Sequence, residues 1–215
     1  MNPPQAQVKK ATLRLGARER FRLQAVLVVA ICVMLWVIVF RPWLNSLIEN
    51  REFQNCQVNE HKIARALTMY QGDWDDSYPP GGNWTTAILG NMAATSGTGF
   101  DLEKYLKCPL DKTGSASSYV YNDLLAGINA SISYDDPEKE AQRRLVRNPR
   151  RFPLIIEKHG SSLNAHLTLK DWDDVIREMN FPHTLPEPTG ILITGEGNAT
   201  RRTLAEVKAQ TGKKF

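Results

Sequence analysis

The side chains best suited to chemistry are few and scattered. Histidines stand at 61, 159, 166 and 183. Glu157-Lys158-His159 follows an apolar run, and His166 lies close behind. A carboxylate and imidazoles at that spacing are the material of a metal site or an acid–base pair. The wider pattern supports neither. The chain has no His-Glu-x-x-His helix, no second tight ligand pair, no Gly-x-Ser-x-Gly elbow, no P-loop and no Gly-rich dinucleotide turn. His61 falls among charged residues and reads as solvated. Asp73, Asp75 and Asp76 could offer oxygens to calcium, but the spacing is not that of an EF-hand, and an acidic turn is the simpler reading. Arg143, Arg144, Arg147, Arg150 and Arg151 could dock a phosphate or an acidic partner. With Asp135, Asp136, Glu138 and Glu140 beside them they read as a solvated surface excursion. The residues therefore predict no enzyme, no metal and no cofactor, and leave the roles of Glu157, His159 and His183 open.

The elements that must carry these groups begin with an apolar run. From Leu23 to Phe40 there are eighteen residues without a charge. As a helix they would be about 27 Å long, close to the hydrocarbon thickness of a bilayer. A secretory signal has a shorter apolar core and a small-residue cleavage site, whereas Arg41-Pro42-Trp43 follows here. The reading is a permanent anchor. The 215-residue chain has a formal charge of +4 and a pI near 9.0, but six Lys and Arg against Glu19 place +5 on residues 1–22. The remainder is close to −1, so the basic excess is a tail beside the anchor and not a nucleic-acid footprint. That flank predicts a cytoplasmic N-terminus, with residues 41–215 across the membrane.

Beyond the anchor, Leu44, Leu47, Ile48, Phe53, Cys56, Ile63, Leu67 and Tyr70 recur at roughly helical spacing. Glu49, Arg51, Glu52, Glu60, Lys62 and Arg65 form the polar face. Pro42 is expected to kink the junction, and GDWDDSYPPGG ends the helix near Gly72. Four regions follow: a basic tail (1–22), an anchor (23–40), an amphipathic helix (41–72) and an α+β head (73–215). The head is expected to hold helices at Trp84–Met92, capped by Asn83, and at Asp101–Leu106. Further helices are expected at Lys170–Met179, with Thr168 and Asp171 as a capping box, and at Thr203–Gln210. Strands are expected at Ser117–Asn122, Pro153–Glu157, Gly190–Thr194 and Ala199–Thr203, the last two as a hairpin.

With residues 41–215 outside the reducing cytoplasm, Cys56 and Cys108 are the two thiols there, and the expectation is a disulfide between them. It would contribute about 4 kcal/mol in the chain-entropy model. The alternative is two free buried thiols. Cys32 lies in the anchor as a packing residue.

The order of several short pieces resembles a group of bacterial type IV pilin-like (pseudopilin-like) proteins. Cys56, Asn59, Ile63, Ala66, Leu67 and Tyr70 lead to the acidic turn and Pro79-Pro80. Trp84, Cys108-Pro109-Leu110-Asp111 and Ser118-Tyr119-Val120-Tyr121-Asn122 follow in the group's order. The group then has a strand ending in an acid, a His, and a hairpin turning at Asp-Gly-His. Glu157, His183 and Glu196-Gly197-Asn198 correspond here. The match covers roughly residues 53–127 and 190–207. Two departures lie at the start: where a prepilin has its cleavage Gly and its membrane Glu, this chain has Arg20 and Ala25.

The resemblance implies a small antiparallel sheet packed on the C-terminal half of the long helix. It implies assembly or docking in a type II secretion or type IV pilus-like apparatus of the bacterial inner membrane, with no chemistry of its own. Partners would be the lipid bilayer and itself or other pilin-like subunits, with no nucleic acid and no small-molecule substrate. Arg20 and Ala25 imply that prepilin peptidase does not cut the chain. They also keep a second reading open, a tethered periplasmic binding or sensory module that does not polymerise.

Overall fold

The computed structural model describes residues 16–97, 100–129, 140–183 and 187–213. The basic tail up to residue 15 and the acidic stretch 135–138 lie outside them. The chain divides into two compact units, one ending at Ser46 and one starting at Leu47.

The first unit is helical. α1 (Ala17–Leu35) passes through a π-turn (Trp36–Phe40) into α2 (Arg41–Asp73). Pro42 explains the π-turn. Proline has no N–H, and its ring collides with the carbonyl four residues back. Widening the helix just before it relieves the crowding, and the Arg41 N–H reaches back five residues to Trp36 O. The side chains of residues 18–43 are all exposed, including Leu23, Leu27, Ile31, Leu35 and Phe40. Among the described residues, this one helix is long and apolar enough to cross a membrane.

The second unit is α+β. Its helices after α2 are α3 (Trp84–Ala87), α4 (Leu89–Ser96), α5 (Leu102–Tyr105), α6 (Glu140–Arg147), α7 (Trp172–Glu178) and α8 (Leu204–Lys208). Its strands are β1 (Ser117–Asn122), β2 (Pro153–Ser161), β3 (His166–Leu167), β4 (Thr189–Thr194) and β5 (Ala199–Thr203). They form one sheet in the order β3-β1-β2-β4-β5. The expected antiparallel sheet is in fact mixed. Two-residue β3 adds in parallel at the β1 edge, pairing Tyr121 with His166 and Asn122 with Leu167. The other three pairings are antiparallel.

Strand alternation sends neighbouring side chains to opposite faces. Tyr119, Tyr121, Ile155, Ile191 and Ile193 join one core cluster with Cys56, Ile63, Ala66 and Leu67 of α2. Val120, Ile156 and Leu192 join a second with Val175, Met179 and Val207. Because both faces are covered, β1 and β4 are buried at every position, as in sheets enclosed between helices.

Local signals fix most ends. Thr203 caps α8 and forms a full capping box with Glu206. α7 starts later than expected. Its cap is Asp171 alone, accepting from the Asp173 and Asp174 N–H groups, while the Thr168 hydroxyl turns to Asp123. Asn83 makes no cap bond, since a 3-10 turn (Gly81–Asn83) already leads into α3. The β4–β5 turn needs its glycine. Gly197 has φ 77°, and a Cβ there would stand 2.3 Å from Thr68 Oγ1 of α2.

Polar residues pin the irregular segments. Asn59 donates to the carbonyls of Lys104 and Lys107. Asn122 bonds both the N–H and the carbonyl of Leu169, and also the Pro153 carbonyl. Trp84 Nε1 donates to Ala165 O and the Tyr121 hydroxyl to Pro79 O. Asp111 accepts from the Thr113 N–H and hydroxyl, the hydroxyls of Ser115 and Ser118, and the Gly160 N–H. These bonds hold its carboxyl below the usual carboxylate range, although burial works the other way.

Candidate functional site

Four buried side chains from separate elements converge between α2 and the sheet: Cys56, Cys108, Glu157 and His183. Cys56 lies on α2, on the stripe that also carries Ile63 and Leu67. Cys108 follows α5, where its N–H is fixed by Ser118 Oγ at 2.9 Å. Glu157 sits mid-β2 opposite Tyr119, so the pleat turns it toward α2. His183 precedes β4 and is held there by a two-way backbone bridge to Thr189. One potential ligand atom from each residue lies within 4.8 Å of the other three.

The expected disulfide is corrected. Cys56 and Cys108 are free thiols. Cys56 Sγ instead donates to Glu157 Oε1 at 3.4 Å and stands 3.4 Å from the Tyr119 hydroxyl. The two sulfurs belong to a polar cluster with an acid and a histidine. Glu60, expected on the polar face of α2, is also inside, at 1 % exposure.

Charge in this cluster is unevenly shared. Burial pushes the Glu157 carboxyl up, but His159 and His183 outweigh it and hold it down at about 2. His159 Nε2 is 3.2 Å from Glu157 Oε1. Burial lowers His159, yet Cys108 and Glu157 lift it to about 10. Burial likewise lowers His183, and the same two groups lift it to about 9. His183 Nε2 comes within 3.5 Å of Glu157 Oε1 without hydrogen-bonding geometry, so we assign that approach to charge attraction alone. The Cys56 contact, joined by the two histidines, lowers the Cys108 thiol to about 5, while Cys56 itself is pushed up. Burial raises the Glu60 carboxyl, and Glu157 and Cys108 raise it further. The surroundings thus push Glu60 toward its neutral form and Glu157 toward its charged form.

The remaining sequence candidates stay apart. His61 is exposed on α2. His166 lies on β3, its Nδ1 beside the Asn164 carbonyl at 3.1 Å. Asp73 accepts from Asn91, and Asp75 and Asp76 occupy left-handed turn positions that end α2. Arg150 pairs with Glu196 at 2.8 Å. Arg151 helps line a groove of about 470 Å³ with Trp172, Arg202 and Lys213.

Sequence reasoning named Glu157, His159 and His183 but did not join them to the cysteines. One signal was available for Glu60: positions 56, 60, 63, 67 and 70 alternate steps of four and three, the spacing of one helix face. Compared with known proteins, the chain matches no family model, no curated protein and no solved structure.

Proposed function

We propose that the chain is a membrane-anchored, pilin-like structural and interaction protein of a type II secretion or type IV pilus-like system, left uncut by prepilin peptidase. Residues 23–40 lie in the bacterial inner membrane, the basic tail is cytoplasmic and the α+β head is periplasmic. The observation that carries this reading is the bare helix. The eighteen uncharged residues from Leu23 to Phe40 are all exposed, and in water that surface would be strongly unfavourable. A helix apolar on every face belongs in lipid. Further support comes from the ordered motif residues and from a β4–β5 turn whose Gly197 touches α2.

A second reading is favoured by Arg20 and Ala25. A carboxylate in lipid is costly unless paired, so the absence of an acid at position 25 removes a motive for pairing with a neighbouring chain. In this reading the head works as a tethered binding module that does not polymerise.

The intact mass and N-terminal sequence of the chain purified from membranes test the first reading. An unprocessed N-terminus upstream of Arg20 is expected, and a mature chain beginning at Phe21 would overturn it. Cross-linking through cysteines placed in residues 23–40 then separates the two readings. A ladder of oligomers supports assembly, and monomers alone support the tethered module.

A further inference from the structure

We propose that Cys56, Cys108, Glu157 and His183 form a closed site for one divalent transition-metal ion of the zinc class. The two sulfurs, one carboxylate oxygen and one imidazole nitrogen lie within 4.8 Å of one another, and all four residues are buried. That donor set is borderline-soft, which suits zinc over calcium or magnesium. Zinc–sulfur bonds of about 2.3 Å make tetrahedral edges of about 3.8 Å, so the ligands need draw in by only about 1 Å.

The independent observation is His183. It is 1 % exposed, its Nδ1 has no hydrogen-bond partner, and its Nε2 has only the ion-pair approach to Glu157 Oε1 at 3.5 Å. Leaving a buried polar group unsatisfied is unfavourable. A metal ion at the centre of the cluster would answer the nitrogen turned toward Glu157 and Cys108. The ring is already held edge-on against Phe53, with centroids 4.4 Å apart.

The surroundings match an outer shell. Glu157 Oε2 accepts the Ile191 N–H at 3.2 Å, His159 stands at Oε1, and the Tyr119 hydroxyl stands at Cys56 Sγ. Such contacts orient metal ligands and raise their affinity. Binding would displace whatever protons the two sulfurs and the ligating His183 nitrogen carry, leaving two thiolates, a carboxylate and a neutral imidazole around a doubly charged ion. With four protein ligands and no exposure, the site would be structural, tying α2 and the segment after α5 to the sheet.

The test uses the full chain in detergent, purified without chelator or reductant. Metal content is measured by mass spectrometry and thiols are titrated after denaturation. About one zinc per chain with all three cysteines titratable is expected. C108S and H183A should each lower bound zinc at least tenfold, and His61→Ala should leave it unchanged. In case those variants fail to fold, the wild-type chain is stripped and refilled with cobalt(II). Thiolate-to-cobalt charge-transfer bands with tetrahedral ligand-field intensity are expected. Background metal with no such bands would overturn the proposal. So would a Cys56–Cys108 disulfide leaving only Cys32 titratable, or zinc that persists unchanged in both variants.

Discussion

Two stretches of the long helical segment, residues 23–40 and 56–70, are both helical and both rich in apolar side chains, yet they face different surroundings. In the first, every side chain is exposed, and the apolar residues leave no polar face. In the second, Cys56, Glu60, Ile63, Leu67 and Tyr70 are buried on one side while Gln57, His61, Lys62 and Arg65 are not. A one-sided stripe is the mark of a helix whose core is its own protein. A surface apolar on every side is the pattern suited to a membrane-crossing helix. The difference lies in the distribution of apolar residues around the axis.

Substitutions should break the two stretches differently. The largest effect is expected from Leu67→Ala, which should lower the stability of the head by about 3 kcal/mol through lost burial and an unfilled cavity. Membrane association should be unchanged, as read by denaturant melts alongside fractionation. Leu27→Ala should do nothing measurable to those melts. Val33→Arg should weaken membrane insertion by about 3 kcal/mol and leave the fold of the head intact. If any of these three substitutions acted on both readouts, the separation of the two stretches would fail.

Asp111→Asn should destabilise the head by about 2 kcal/mol at neutral pH, because five hydrogen bonds converge on a charged acceptor. The folded carboxyl is depressed below its unfolded value near 3.9. Its contribution is therefore full above about pH 5 and is lost as pH falls through the depressed value. The gap between wild type and variant should close at acid pH, and a gap that widened would contradict this assignment. A smaller loss is expected from Thr203→Ala, about 1 kcal/mol for loss of the α8 cap.

Much of the head was legible. β1 and β5 have the expected bounds, and the Thr203 cap is where the Thr-x-x-Glu spacing puts it. Short-range chemistry sets these features, so a local window holds the signal. β3 was not legible. Two residues carry no period, and its parallel place beside β1 depends on a chain reversal through the turn around Asn164, at φ 58°. The candidate site was legible only in pieces. Its four residues span positions 56 to 183, and their meeting depends on how α2 lies against β2. The disulfide expectation came from counting thiols in a compartment. Counting could not show that Glu157 and His183 converge on the same sulfurs.

The membrane topology tests the central claim most directly. Protease added to intact spheroplasts should digest the head while the chain resists extraction at alkaline pH. A head protected in spheroplasts, or a chain released in soluble form, would contradict an anchor at residues 23–40 with the head on the periplasmic side.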